Sequence, residues 1–61
     1  MGSRLVVYYR DELGYVAVDV LKNMGMFDAI DFLDGYIYFQ GADGKDYKIR
    51  MDSVVAIMNT L

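Results

Sequence analysis

Nine carboxylates, six tyrosines and six basic side chains supply most of the reactive groups in this 61-residue chain, which contains no histidine and no cysteine. Without an imidazole or a thiolate, neither Ser-His nor Cys-His nucleophilic catalysis is available. The usual nitrogen and sulfur ligands of zinc are missing as well. Ser3, Ser53 and Thr60 offer hydroxyls, but none has an evident base beside it in the sequence. Asp11, Glu12, Asp19, Asp28, Asp31, Asp34, Asp43, Asp46 and Asp52 are scattered, and several fall where turns are expected. There an aspartate hydrogen-bonds its local backbone. The run Asp43-Gly44-Lys45-Asp46 lacks the alternating ligands and terminal glutamate of a calcium loop. No glycine-rich phosphate cradle occurs. The residue types predict a protein that is not an enzyme, with no metal and no cofactor.

What remains is binding chemistry. Tyr36 and Tyr38 alternate on one strand, Lys48 and Arg50 on another, and Gly41-Ala42-Asp43-Gly44 lies between them. A type I turn closed by a glycine at positive φ suits that loop. It pairs Gly41 with Lys45, so Ile37 faces Ile49, Phe39 faces Tyr47, Tyr36 faces Arg50 and Tyr38 faces Lys48. The two-residue signal Asp34-Gly35 adds a strand in which Leu33 meets Tyr36, Phe32 meets Ile37 and Ile30 meets Phe39. One face then collects Ile30, Phe32, Ile37, Phe39, Tyr47, Ile49 and Met51, an expected core. The other presents Tyr36, Tyr38, Lys48 and Arg50 with Asp31 alongside, the expected binding residues. Tyrosine and arginine are over-represented in binding hot spots. A one-residue slip would mix the two sets, which argues for this register.

The elements on either side are less constrained. Leu5–Arg10 reads as a strand, Asp11-Glu12-Leu13-Gly14 as a turn, and Tyr15–Leu21 as a second strand. Closing this turn like the later loop pairs Asp11 with Tyr15, Tyr8 with Val18 and Val6 with Val20. Val6, Tyr8, Val16, Val18 and Val20 form the more regularly apolar face. Leu5, Val7, Tyr9, Ala17, Asp19 and Leu21 form the other, whose apolar members Leu5, Val7, Tyr9, Ala17 and Leu21 are the expected dimer interface. Such a two-sided apolar pair sits either inside a sandwich or under a second protomer. Lys22–Ala29 is open to two readings, a two-turn helix capped by Asp19 and ending at Gly25, or a loop. Asp52-Ser53 either caps a short helix or turns the chain into a last strand, Val54–Met58. The three β-branched residues among those five favour the strand.

The stretch Ile49-Arg50-Met51-Asp52-Ser53-Val54-Val55-Ala56-Ile57 resembles the end of Sm-like barrels, where a strand, a short Arg/Asp turn and an apolar final strand follow one another. The typical glycine of that turn is replaced by Met51, and no N-terminal helix is apparent. The resemblance implies a small barrel. The expected fold is therefore mostly β, a small antiparallel meander of about five strands forming an SH3/Sm-like small barrel or sheet, with at most one short helix. Residues 1–61 make a single domain, and Met1-Gly2-Ser3 is set aside as a flexible or appended start.

Hydrophobic residues make up 56% of a chain too short to bury them all, which predicts association with a second copy. The net charge of −3 and a pI near 4.4 argue against nucleic acid as the main partner. No apolar run approaches a membrane span and no signal sequence is visible, so a soluble, cytoplasmic protein is expected. The expected function is that of a homodimeric binding protein working on another protein, in the style of a small phage-type inhibitor of a host factor. Two further expectations are a binder that sequesters a nucleotide-like small molecule between protomers, and an Sm-like RNA-binding barrel, which the acidity opposes.

Overall fold

A computed structural model describes residues 4–21 and 29–60. Six strands are present, β1 (Arg4–Asp11), β2 (Gly14–Asp19), β3 (Ile30–Leu33), β4 (Tyr36–Gln40), β5 (Asp46–Arg50) and β6 (Val54–Thr60), with a 3-10 turn over Met51–Ser53. They build two three-stranded antiparallel sheets, ordered β2-β1-β6 and β3-β4-β5. The mostly β fold expected from the sequence is thus present, with one strand more than counted. The meander is interrupted, because β6 returns to pair with β1 instead of lying beside β5. Helix or loop over Lys22–Ala29 is a question that falls, apart from Ala29, outside the described residues.

The second sheet follows the register that its two turns dictate. Asp34 and Gly35 both take positive φ, 53° and 79°, the backbone of a type I′ turn. Leu33 pairs with Tyr36 across it, and Ile30 with Phe39. In the next loop the Gly44 N–H donates to the Gly41 carbonyl at 2.9 Å, and the Gly41 N–H donates to the Lys45 carbonyl at 2.8 Å. Gly44 sits at φ 86°, and Ile37 faces Ile49 as expected. The 3-10 turn is tied back by the Met51 N–H, which donates to the Gly35 carbonyl. The strand, short turn and final apolar strand implied by the Sm-like resemblance are all present.

The first hairpin departs from expectation by one residue. Asp11 pairs with Gly14, Tyr8 with Ala17 and Val7 with Val18. Only Glu12 and Leu13 form the turn. The Asp11 carboxylate accepts the Leu13 N–H at 2.8 Å, and Gly14 enters the strand at φ 126°, a conformation that side chains disfavour. The slip brings Leu5, Val7 and Tyr9 onto the same face as Val16, Val18 and Val20. A bulge between Tyr8 and Tyr9 completes the pairing of β1 with β6.

The two sheets meet at one corner, where Val20 bridges Gly41. The Leu21 N–H donates to the Gln40 carbonyl and the Ala42 N–H to the Asp19 carbonyl, both at 2.8 Å. Between the sheets lies one core, built of Leu5, Val7 and Val20 from the first and Ile30, Ile37, Phe39 and Ile49 from the second. Tyr47 stacks on Phe39 with ring centroids 5.1 Å apart and closes the core at the loop end. Two residues expected in this core are not covered. Phe32 is 53% exposed on the edge strand β3, although Ile37 opposite it is buried, and Met51 is 46% exposed in the 3-10 turn beyond β5.

Candidate functional site

The outer face of the β3-β4-β5 sheet carries the residues singled out for binding. Pleating sends Ile37 and Phe39 inward, so Tyr36 and Tyr38, between and beside them on β4, point outward. The register sets Asp31 against Tyr38, Tyr38 against Lys48, and Tyr36 against Arg50. The structure therefore brings all five predicted side chains onto one surface.

Lys48 is the centre of the group. Its ammonium lies 4.5 Å from the Tyr36 ring centroid and 5.9 Å from that of Tyr38. A cation above the negative face of a ring is attracted by about 0.5–1 kcal/mol at an exposed site. The tyrosine rings are 6.4 Å apart and tilted by 46°. Both are half-buried, held by the lysine and by each other. Arg50 turns away from this group toward Asp52, with Nη2 3.3 Å from Oδ2, an exposed pair worth little. Leu33, opposite Tyr36, is exposed and extends the apolar part of the face. The sequence reading left Leu33 out of the site, although the Asp34-Gly35 pairing already placed it beside Tyr36.

At the loop end of the same sheet, an open depression of about 430 Å³ is lined by Asp31, Tyr38, Gln40, Asp46 and Tyr47 among others. Among the described residues its lining holds two carboxylates and no basic side chain. Nearby, Asp43 organises the loop. One carboxylate oxygen accepts the Lys45 N–H at 3.0 Å, and the other accepts the Tyr47 hydroxyl at 2.8 Å. The Lys45 N–H and then the Tyr47 hydroxyl hold the Asp43 carboxyl below its usual range. The same bond raises the Tyr47 phenol above its usual value.

Other carboxylates are similarly occupied. Asp19 pairs with Arg4 at 2.7 Å, Asp52 with Arg50, and Asp11 with its own turn. Among the described residues, no three carboxylates come together in a group able to hold a metal ion.

The expected dimer interface is not brought together as one patch. Leu5 (1% exposed) and Val7 (0%) are enclosed in the core of their own chain. Tyr9 is half-buried against that core. Ala17 is exposed on the opposite face, as the partner of Tyr8, and Leu21 is exposed at the sheet corner. The one-residue slip of the first hairpin is what puts Ala17 on the face opposite to Leu5, Val7 and Tyr9. Among the described residues no helix is long and apolar enough to cross a membrane.

Comparison with known protein families, curated proteins and solved structures finds no match to this chain.

Proposed function

We propose that this chain is a non-catalytic, cytoplasmic binding protein, homodimeric, that docks another protein through the outer face of its β3-β4-β5 sheet. The observation that carries this reading is the Tyr36–Tyr38–Lys48 cluster, with one ammonium 4.5 and 5.9 Å from two outward rings. Those aromatics lie outside the core cluster. A protein partner, however, gains large contact area from them at small entropic cost, because their positions are already restricted. The surface is open, which suits a protein more than an enclosed small molecule.

An inhibitor or adaptor role, such as that of a small phage-encoded protein that blocks a host factor, fits a short acidic chain of this kind. The acidic turn at Asp11 and Glu12 would steer it toward a basic partner. A nucleotide-like ligand draws less support, because the depression beside the tyrosines is lined by Asp31 and Asp46, which repel phosphate.

The test is affinity capture from a cell extract on the immobilised protein, run beside the Tyr36→Thr/Tyr38→Thr/Lys48→Ala variant. A protein held by the wild type and lost from the variant is expected. Equal retention by both would overturn the reading.

A further inference from the structure

Among the described residues the two sheets have four edge strands, β2 and β6 in one and β3 and β5 in the other. Three of them carry charge: Asp19 on β2, Asp31 on β3, and Asp46, Lys48 and Arg50 on β5. β2 is also engaged at its end, through the Val20–Gly41 bridge. β6 differs. It is the longest of the four, and its sequence Val-Val-Ala-Ile-Met-Asn-Thr contains neither a charge nor a proline. An edge strand presents unpaired N–H and C=O groups, and soluble proteins ordinarily blunt such an edge with lysine, proline or a short length. The bulge that displaces Val55 opposite Tyr8 and Tyr9 is the one such device on β6, and it lies near the start of the strand. Val55 in the bulge and Met58 beyond it are exposed.

We infer that β6 is the surface through which two copies of this chain associate, edge to edge and antiparallel, so that their β2-β1-β6 sheets join into one. The inference rests on the homodimeric part of the proposed function and names where the copies meet. It is independent of the tyrosine face. A second copy is the favoured occupant because the strand is compatible with itself. Set antiparallel about a two-fold axis, residues 54–58 place only valine, alanine, isoleucine and methionine opposite one another. No charged side chain has to be desolvated on this edge, whereas the other three each carry at least one. Each copy carries a net charge of −3, so an uncharged edge is where two copies approach at least electrostatic cost.

The experiment is sedimentation or light scattering over a wide concentration series on the full chain. Val55→Lys/Met58→Lys and Val55→Glu/Met58→Glu are measured alone and mixed. Both positions are exposed, so retained far-ultraviolet circular dichroism is expected in each variant. The wild type should dimerise reversibly, each variant alone should dimerise about tenfold more weakly or worse, and the mixture should regain the dimer, because the two adjoining edges then carry opposite charges. In a sample mixing isotope-labelled and unlabelled wild type, intermolecular contacts between β6 strands provide a readout that needs no variant. A wild type that stays monomeric throughout would overturn the inference together with the homodimer. A dimer unaffected by the charges, or a mixture that does not regain it, would overturn the inference alone and leave the homodimer standing.

Discussion

At Gly41 the requirement for glycine comes from space and not from backbone angle. A Cβ there would stand 2.6 Å from the Asp43 carboxylate and 2.6 Å from the Tyr47 ring, which is itself stacked on Phe39. Gly41→Ala should therefore destabilise the fold by about 1–3 kcal/mol, as crowding in packed sites does, measured by chemical denaturation. Unchanged stability would mean that Tyr47 swings away freely. The neighbouring Asp43–Tyr47 bond has a pH signature. The Asp43 carboxyl is lowered in the fold, so its contribution is present above the unfolded value of about 3.9 and is lost as pH falls through the lower folded value. The Tyr47 phenol is raised, so its contribution is full below about 10 and disappears as pH climbs through the higher folded value. Asp43→Asn should lower the melting temperature at neutral pH, and should flatten its decline in acid relative to the wild type. Parallel acid profiles for the two proteins would contradict this.

Among the elements, the second sheet was legible and the first only partly so. In β4 and β5 the apolar and polar residues alternate, and two turns with marked chemistry, Asp34-Gly35 and Gly41–Gly44, fix the register independently. Pattern and turn agreed, and every expected pair is found. In β1, Leu-Val-Val-Tyr-Tyr is apolar at every position, so alternation does not distinguish the inward face. The turn then had to decide. Asp11–Gly14 looks like the later loop, yet it closes with two residues instead of three. The hidden information was tertiary: β6 and the second sheet select Leu5 and Val7 as the inward residues. Leu5→Ala should consequently cost about 2–5 kcal/mol, like Phe39→Ala, even at dilutions where the chain is monomeric. A cost that vanishes on dilution would return Leu5 to an interface between copies. The candidate site was legible for the same reason as its sheet, and Leu33 was missed although its pairing with Tyr36 was already in hand.

For the whole molecule, two surfaces among the described residues bear on partners once the core is closed, the tyrosine face and the β6 edge. The tyrosines lie outside the core of Leu5, Val7, Val20, Ile30, Ile37, Phe39 and Ile49, and β6 packs Val54 and Ile57 against it while leaving Val55 and Met58 exposed. Because each copy is acidic while β6 is uncharged, added salt should strengthen self-association by screening repulsion between the copies. Light scattering at low and high ionic strength would show it, and weakening by salt would point to a charged interface instead. The central claim is that the tyrosine face is surplus to folding and is therefore available for a partner. The direct measurement is the denaturation midpoint of Tyr36→Thr/Tyr38→Thr, which keeps strand preference while removing both rings. Loss of the cation–ring and cross-strand contacts predicts a drop of about 1–2 kcal/mol for the pair. A loss of about 3–5 kcal/mol or more, the scale of truncating a buried Phe39, would show that the face is structural and would contradict the account.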